Sequence, residues 1–383
     1  MNLSHLPPPE VITQPHQLKH LLPELEDAGR FALDTESNSM YAYHYQVCLI
    51  QISTDARDII IDPLALRDLA PLGELVARPD IEITMHAAEN DILLLHRDFG
   101  WTFGNIFDTL WGARILGWPR PGLASILKER FGVTLDKRMQ RTDWGKRPLS
   151  PEQLTYARLD THFLLPLRDE IERELRAAGR WEEAQEVFGD LRAIRWEEKA
   201  APSFWRLAGA RDLEPQQQAV LKALFDWRER RASQRDVPPY RILQNDILLS
   251  LARTMPRTEA QLRHIPGFPR RFPAHLIRKL LGIIRTGQRA HPPALPARSH
   301  SSGRPDDATL ARYEALRHWR TEKARSRGVD PDVVMTNSKL MAIARANPDS
   351  MEALEALGLL GPWRLQAYGQ EILDTLGKMT KGM

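Results

Sequence analysis

The chain has 383 residues, of which 42% are hydrophobic and 27% charged, enough apolar material for packed cores at a length that points to two or three domains. No apolar run reaches the roughly 18 residues of a membrane span, and the opening "MNLSHLPPPEVITQPHQL" lacks the basic start and apolar stretch of a secretion signal. The single cysteine, Cys48, lies in an apolar run; it excludes a disulfide framework and a cysteine-rich zinc site and fits a reducing cytoplasm. A formal net charge of +3 conceals a division: residues 1–200 carry 23 Lys plus Arg against 32 Asp plus Glu, or −9, and the remainder 30 against 18, or +12. Such asymmetry suggests an acidic half able to hold cations and a basic half able to follow a polyanion.

In chain order, a helix-like "LKHLLPELEDAG" precedes three strand-like segments, "RFALDTES", "QVCLIQIS" and "DIIIDPLA". "LRDLAPLGELVAR" reads as a helix, "IEITMHA" as a strand, and "AENDILLLHRDFG" as a helix ending at Gly100. Another helical stretch runs from Asp108 to about Trp118, and "GLASILKERFG" is one more, closed by Gly132. Strands interleaved with helices predict an α/β domain, a mixed sheet covered by helices, over residues 1–195.

The chain beyond is helical and repeats itself at a constant offset of 92 residues. Leu224, Trp227, Arg228, Ala232, Arg235, Asn245 and Leu262 meet Leu316, Trp319, Arg320, Ala324, Arg327, Asn337 and Leu354 without a gap. This predicts two copies of one small all-α module, over 212–290 and 308–378, joined by an extended Pro/Ser-rich linker over 291–307. Neither copy holds a catalytic cluster, and Trp227 and Trp319 read as core anchors. Arg228, Arg230, Arg231, Arg235, Arg270, Arg271 and Lys279 are candidates for a nonspecific hold on a nucleic-acid backbone, or else solvated helix faces.

The first half raises a sharper question in "FALDTES". Residues i and i+2 of a strand share a face, so Asp34 and Glu36 stand side by side while Thr35 turns away. Two like charges so placed call for a cationic partner. Further acids follow: Asp91 at the start of a helix in "HAAENDILLL", and Asp160 in "LTYARLDTHFLLPL", one helical turn after Tyr156. Together Asp34, Glu36, Asp91 and Asp160 carry enough negative charge to hold two hard divalent cations through oxygen ligands. His86 lies near Asp91, but imidazole suits zinc or copper better than magnesium or manganese, and it is set aside as a ligand.

In "LDTE", "LIQIS", "IDPL", "HAAENDILLL", "FDTLWGARILG" and the long "GVTLDKRMQRTDWGKRPLSPEQLTYARLDTHFLLPL", the chain resembles the ribonuclease D family, 3′-to-5′ exoribonucleases of the DEDD superfamily, in its tyrosine subgroup. The tail repeats are similar to the helicase-and-RNase-D C-terminal (HRDC) module. The resemblance implies a ribonuclease H-like mixed sheet with flanking helices, followed by two helical modules. It assigns Asp34 and Glu36 to the first exonuclease motif, Asp91 to the second, and Tyr156 with Asp160 to the third; Asp108 matches a recurrent aspartate, to which we give a structural role.

The implied reaction is metal-dependent hydrolysis of the terminal phosphodiester, releasing nucleoside 5′-monophosphates. Asp34 is expected to bridge two Mg2+ or Mn2+ ions, with Glu36 and Asp160 on the nucleophile side and Asp91 on the other. Tyr156 is expected to orient the attacking water, since a phenol of ordinary pKa near 10 is a poor base. Glu36 is also expected near the terminal sugar. The run "LDKRMQRTDWGKRP" supports two readings: Lys137, Arg138, Arg141, Lys146 and Arg147 holding phosphates while Trp144 stacks a base, or a structural connection to the Tyr156 helix. RNA, in particular tRNA precursors and structured RNAs with a single-stranded 3′ tail, is the expected partner, with no membrane and no obligatory protein partner. A DNA exonuclease and a noncatalytic RNA-binding protein are the rivals.

Overall fold

The computed structural model describes residues 7–136, 138–198, 201–295 and 305–381. Its first compact unit comprises residues 1–37, 47–196 and 304–383, and its second 38–46 and 197–303.

The first unit is built on a six-stranded mixed sheet. Its elements are β1 (Glu10–Ile12), α1 (Pro15–Ala28), β2 (Arg30–Ser37), β3 (Val47–Ser53), β4 (Asp58–Ile61), α2 (Ala70–Val76), β5 (Glu82–Met85), α3 (Glu89–Phe99), β6 (Ile106–Asp108) and α4 (Thr109–Leu116). Then come the four-residue α5 (Leu123–Ile126), α6 (Pro151–His162), α7 (Leu164–Ala177) and α8 (Trp181–Arg192). The strand order is β1-β4-β3-β2-β5-β6. β2 runs antiparallel to β3 and parallel to β5, which makes it central. β3 reads Val-Cys-Leu-Ile-Gln-Ile-Ser without alternation because every residue of it is buried. β1 and β6, three residues each, were not legible as strands, and Asp108 closes β6 as well as opening α4. "GLASILKERFG" is not one α-helix: α5 runs into a π turn over Leu127–Phe131, which Gly132 closes at φ 67°.

β2 pairs with β5 only over Arg30–Ala32, so its second half, which carries Asp34 and Glu36, passes beyond that neighbour. The β3 pairing continues, with Asp34 opposite Gln51 and Glu36 opposite Leu49, until the register shifts between Glu36 and Ser37. Two acids are thereby placed past the end of a parallel strand, where the first residues of α3 also lie.

The second helical repeat belongs to this first unit: α14 (Asp307–Arg327), α15 (Pro331–Val334), α16 (Asn337–Ala346), α17 (Met351–Ala356) and α18 (Pro362–Lys381). It meets α8 through ion pairs from Arg327 to Glu183, Arg364 to Glu186 and Lys339 to Asp190. This compact unit therefore holds the second module together with the sheet. The first repeat, in the second unit, has α9 (Pro215–Gln234), α10 (Pro239–Ile242), α11 (Asn245–Thr254), α12 (Glu259–Arg263) and α13 (Ala274–Arg289). Most of the expected linker over 291–307 lies outside the described residues. Among the described residues no helix is long and apolar enough to cross a membrane.

The repeats share a polar core device. Nη1 of Arg228 donates to the Leu243 carbonyl (3.2 Å) and the Asn245 amide oxygen (2.7 Å); Nη1 of Arg320 donates to the Met335 carbonyl and Asn337, each at 2.8 Å. Both arginines are buried. Arg228 is thus neither a backbone-binding nor a solvated residue, because its buried guanidinium is engaged by the Leu243 carbonyl and the Asn245 amide oxygen. Trp227 is buried in its module's core, and Trp319 packs at the edge of its own while donating to Glu371.

Candidate active site

Asp34, Glu36, Asp91, Tyr156 and Asp160 line one cavity of about 530 Å³. β2 supplies the first two, the first turn of α3 supplies Asp91, and α6 supplies the last two. α6 begins at a capping box in which Ser150 accepts from the Gln153 amide while Gln153 answers the Ser150 amide. Its N-terminus is therefore fixed, and the turn that follows presents Tyr156 and Asp160 on one side.

Asp108 sets the position of Asp91 without entering the cavity. Fully buried, its carboxylate accepts from the Trp111 amide at 3.0 Å as the N-cap of α4, and from the Ala88 amide at 2.7 Å. That second bond anchors the turn through Ala87, a non-glycine residue at φ 62°, from which α3 starts. The structural role expected of Asp108 is thus a specific one, to hold a strained turn that aims α3.

The electrostatics of the cavity are one-sided. Burial, and then the charges of Asp91, Asp160 and Glu36, hold the Asp34 carboxyl well above its usual range. Burial, with Asp160 and Asp91, pushes Glu36 up to about 9. Asp91 and Asp160 are raised by burial too, against hydrogen bonds from Thr35 and Tyr156 that favour their ionised forms. Among the described residues no Lys, Arg or His pairs with any of the four. Buried carboxylates gathered with no cation fit a divalent metal in charge and in donor atom, since all four offer oxygen. Asp34, Glu36, Asp91 and Asp160 are the residues that would close on the ions.

Tyr156 is buried, its ring tilted against Trp144 at 6.2 Å between centroids. Burial and the Asp160 and Glu36 charges push its phenol far above the ordinary value, so it remains a neutral hydroxyl. Gln140 and Asp160 are its hydrogen-bond partners. His86 also lines the cavity. The Thr109 hydroxyl donates to the Met85 carbonyl at 3.0 Å, so the His86 Nδ1 2.9 Å away is the donor toward Thr109. Burial lowers the imidazole to about 4, leaving it neutral with Nε2 as an acceptor.

Thr35 was missed. Alternation turns it away from Asp34 and Glu36, yet its hydroxyl donates a hydrogen bond to Asp91. Gln140 was missed as well; it sits inside "LDKRMQRTDWGKRP", where its basic neighbours drew attention. That run is structural at two of its positions. Trp144 is fully buried and cannot stack a base, and Arg147 grips Asp62 at 2.5 and 2.8 Å and the Cys48 carbonyl at 2.7 Å. Arg138 pairs with Asp136 and Lys146 lies 3.9 Å from Asp143, both at the surface; Arg141 is exposed, and Lys137 lies outside the described residues.

A 3′-5′ exonuclease family matches residues 9–176, and the HRDC domain matches twice, over 217–284 and 309–376. Ribonuclease D of Escherichia coli strain K12 is 34% identical over 292 residues, which are 75% of this chain and 77% of that protein. The chain belongs to the ribonuclease D family. The crystal structure of E. coli RNase D, described as an exoribonuclease involved in structured RNA processing, superposes with a TM-score of 0.67 at 25% identity, covering 97% of this chain and 99% of that one. The catalytic core of RRP6 from Trypanosoma brucei does so at 27% identity with the same TM-score, covering 75% and 81%. Protein RRP6-like 2 of Arabidopsis thaliana is 31% identical over 73% of this chain, but the chain spans only 34% of that relative. The family relationship covers the exonuclease fold and the twin modules.

Proposed function

We propose that this ribonuclease D family member hydrolyses RNA from its 3′ end, releasing nucleoside 5′-monophosphates, with two magnesium or manganese ions held by Asp34, Glu36, Asp91 and Asp160. The observation that carries the reading is four carboxylates converging on one cavity with no cationic side chain paired to them among the described residues, beside a tyrosine kept neutral. Such ions, when bound, would neutralise the phosphate, lower the pKa of the attacking water and stabilise the leaving 3′ oxygen.

The side chains divide the work. Asp34, whose carboxyl feels the charges of all three other acids, suits the bridging position. Glu36 and Asp160 flank the Tyr156 hydroxyl electrostatically, which suits the nucleophile side. Tyr156 orients the water by hydrogen bonding. We further propose tRNA 3′ ends as substrates, a cytoplasmic location, and the division into residues 1–195, 212–290 and 308–378. The family relationship and the excess of cations after residue 200 support this reading.

The test is a time course on 5′-labelled RNA with a structured body and a single-stranded 3′ tail, in magnesium, manganese or chelator, for wild type and Asp34→Ala. A metal-dependent ladder shortening from the 3′ end, absent in the variant, is expected. Intact RNA in every lane, with a folded protein, would replace this reading by that of an RNA-binding protein.

A further inference from the structure

Gln51 interrupts the apolar run of β3, and it is fully buried. Among the described residues neither its amide oxygen nor its amide nitrogen has a hydrogen-bond partner. Buried polar groups are paired in the great majority of cases, and an orphaned one costs free energy that an apolar side chain at the same place would not. A carboxamide kept in the middle of a sheet with both ends unmet therefore calls for a role outside the packing of the strand.

The register of the sheet fixes where that carboxamide stands. Gln51 lies directly opposite Asp34 across the β2–β3 ladder, and opposed residues share a face with Cβ atoms about 5 Å apart, a gap that a glutamine side chain spans. Its neighbours two residues away on the same face, Leu49 and Ser53, both meet α6. Leu49 packs in one cluster with Tyr156 and Ala157, and the Ser53 hydroxyl lies 2.7 Å from that of Thr161. Gln51 thus sits between Asp34 on the sheet and the turn of α6 that carries Asp160. Its last torsion is soft, so the amide nitrogen can turn toward Asp34 without moving the strand. Carboxylates that bind ions are aimed by donors behind them. Asp91 has such a donor in the Thr35 hydroxyl and Asp160 in the Tyr156 phenol; for Asp34 the side-chain donor directly opposite is Gln51.

We infer that Gln51 is a positioning residue for Asp34: its amide nitrogen donates to the Asp34 carboxylate and aims it at the metal ions. Gln51 touches neither RNA nor ion and acts through Asp34 alone. The inference deepens the proposed metal-dependent function and rests on it.

The experiment uses the full chain. Gln51→Met keeps the length of the side chain and removes both amide atoms; Gln51→Leu takes its place if that variant does not fold. Ile52→Val, buried on the other face of β3, is the packing control. Manganese binding is measured by calorimetry, cleavage of 5′-labelled single-stranded RNA under single turnover in manganese, and RNA affinity and thermal melting in chelator. Gln51→Met should bind manganese roughly 10- to 100-fold more weakly and cleave more slowly by a similar factor, the range for losing a group that orients a metal ligand. Its RNA affinity in chelator should be unchanged and its melting temperature no lower than that of wild type, because the lost amide paired with nothing in the absence of ions. Ile52→Val should melt lower and bind manganese as wild type does. Unchanged manganese affinity and cleavage in Gln51→Met would overturn the inference. So would a loss of manganese affinity shared by Ile52→Val, which would show a loosened strand and not a missing donor. A wild type that neither binds manganese nor cleaves RNA defeats the proposed function and this inference with it, whereas a wild type that does both and is matched by Gln51→Met defeats the inference alone.

Discussion

The hydroxyl of Thr35, on the central strand β2, donates a hydrogen bond to the carboxylate of Asp91, at the first turn of α3. It links the strand carrying Asp34 and Glu36 to the helix carrying the remaining acid on that side. It also favours the ionised form of Asp91 against the burial that opposes it. Thr35→Val keeps the shape and removes the donor. A hydrogen bond to a buried charge contributes about 1.5–3 kcal/mol, so single-turnover RNA cleavage should slow roughly 10- to 100-fold. A rate within twofold of wild type would show that Asp91 is positioned by other means.

The raised carboxylates have a consequence for stability. Glu36 is pushed from 4.5 to about 9, and Asp34, Asp91 and Asp160 move in the same direction. An acid whose folded pKa exceeds its unfolded value binds more protons when folded, so metal-free stability declines as pH rises from about 4.5 toward 9. Bound cations would offset the repulsion. Melting temperatures between pH 6 and 8.5 should fall in chelator, fall less in magnesium, and respond weakly to magnesium in Asp34→Asn. Superimposable pH profiles with and without magnesium would count against metal binding here.

Tyr156 gives a test that separates orientation from binding. Its phenol is kept neutral by burial and by the nearby acids, which rules out the phenolate as a resting base. Tyr156→Phe should reduce turnover roughly 10- to 100-fold, the scale of a misplaced reactant, while calorimetric titration with manganese changes little. Full activity in the variant would leave the ring with a packing role against Trp144 alone.

Glu183 of α8 is fully buried and receives Nη1 of Arg327 at 2.9 Å, with Tyr368 joining Arg327 from α18. Removing one partner of such a pair leaves a desolvated charge, which costs about 3–5 kcal/mol. Glu183→Ala should therefore lower the denaturant midpoint sharply, or split the transition if the second module detaches first. A midpoint unchanged within error would mean that the pair is hydrated in solution.

Much of this molecule follows from local rules applied to its sequence. The period-two pattern placed Asp34 and Glu36 on one face, the i to i+4 spacing placed Tyr156 with Asp160, and the offset of 92 residues established the two modules. These relationships hold because side-chain direction along a strand or helix depends on neighbours in the chain. Thr35 and Asp91 are 56 residues apart, and only the crossing of α3 past the end of β5 brings them together. Trp144 and Arg147 sit in a basic, loop-like run whose composition suggests a surface; packing against Tyr156 and the reach of Arg147 to Asp62 decided that both are structural. Likewise the arginine-rich α9 contains both Arg228, which closes a polar core, and Arg230, which faces a cleft. Charge is written in the sequence, but whether a charge meets water, a carbonyl or a ligand is set by what the fold stacks against it, because desolvation acts through space and not along the chain.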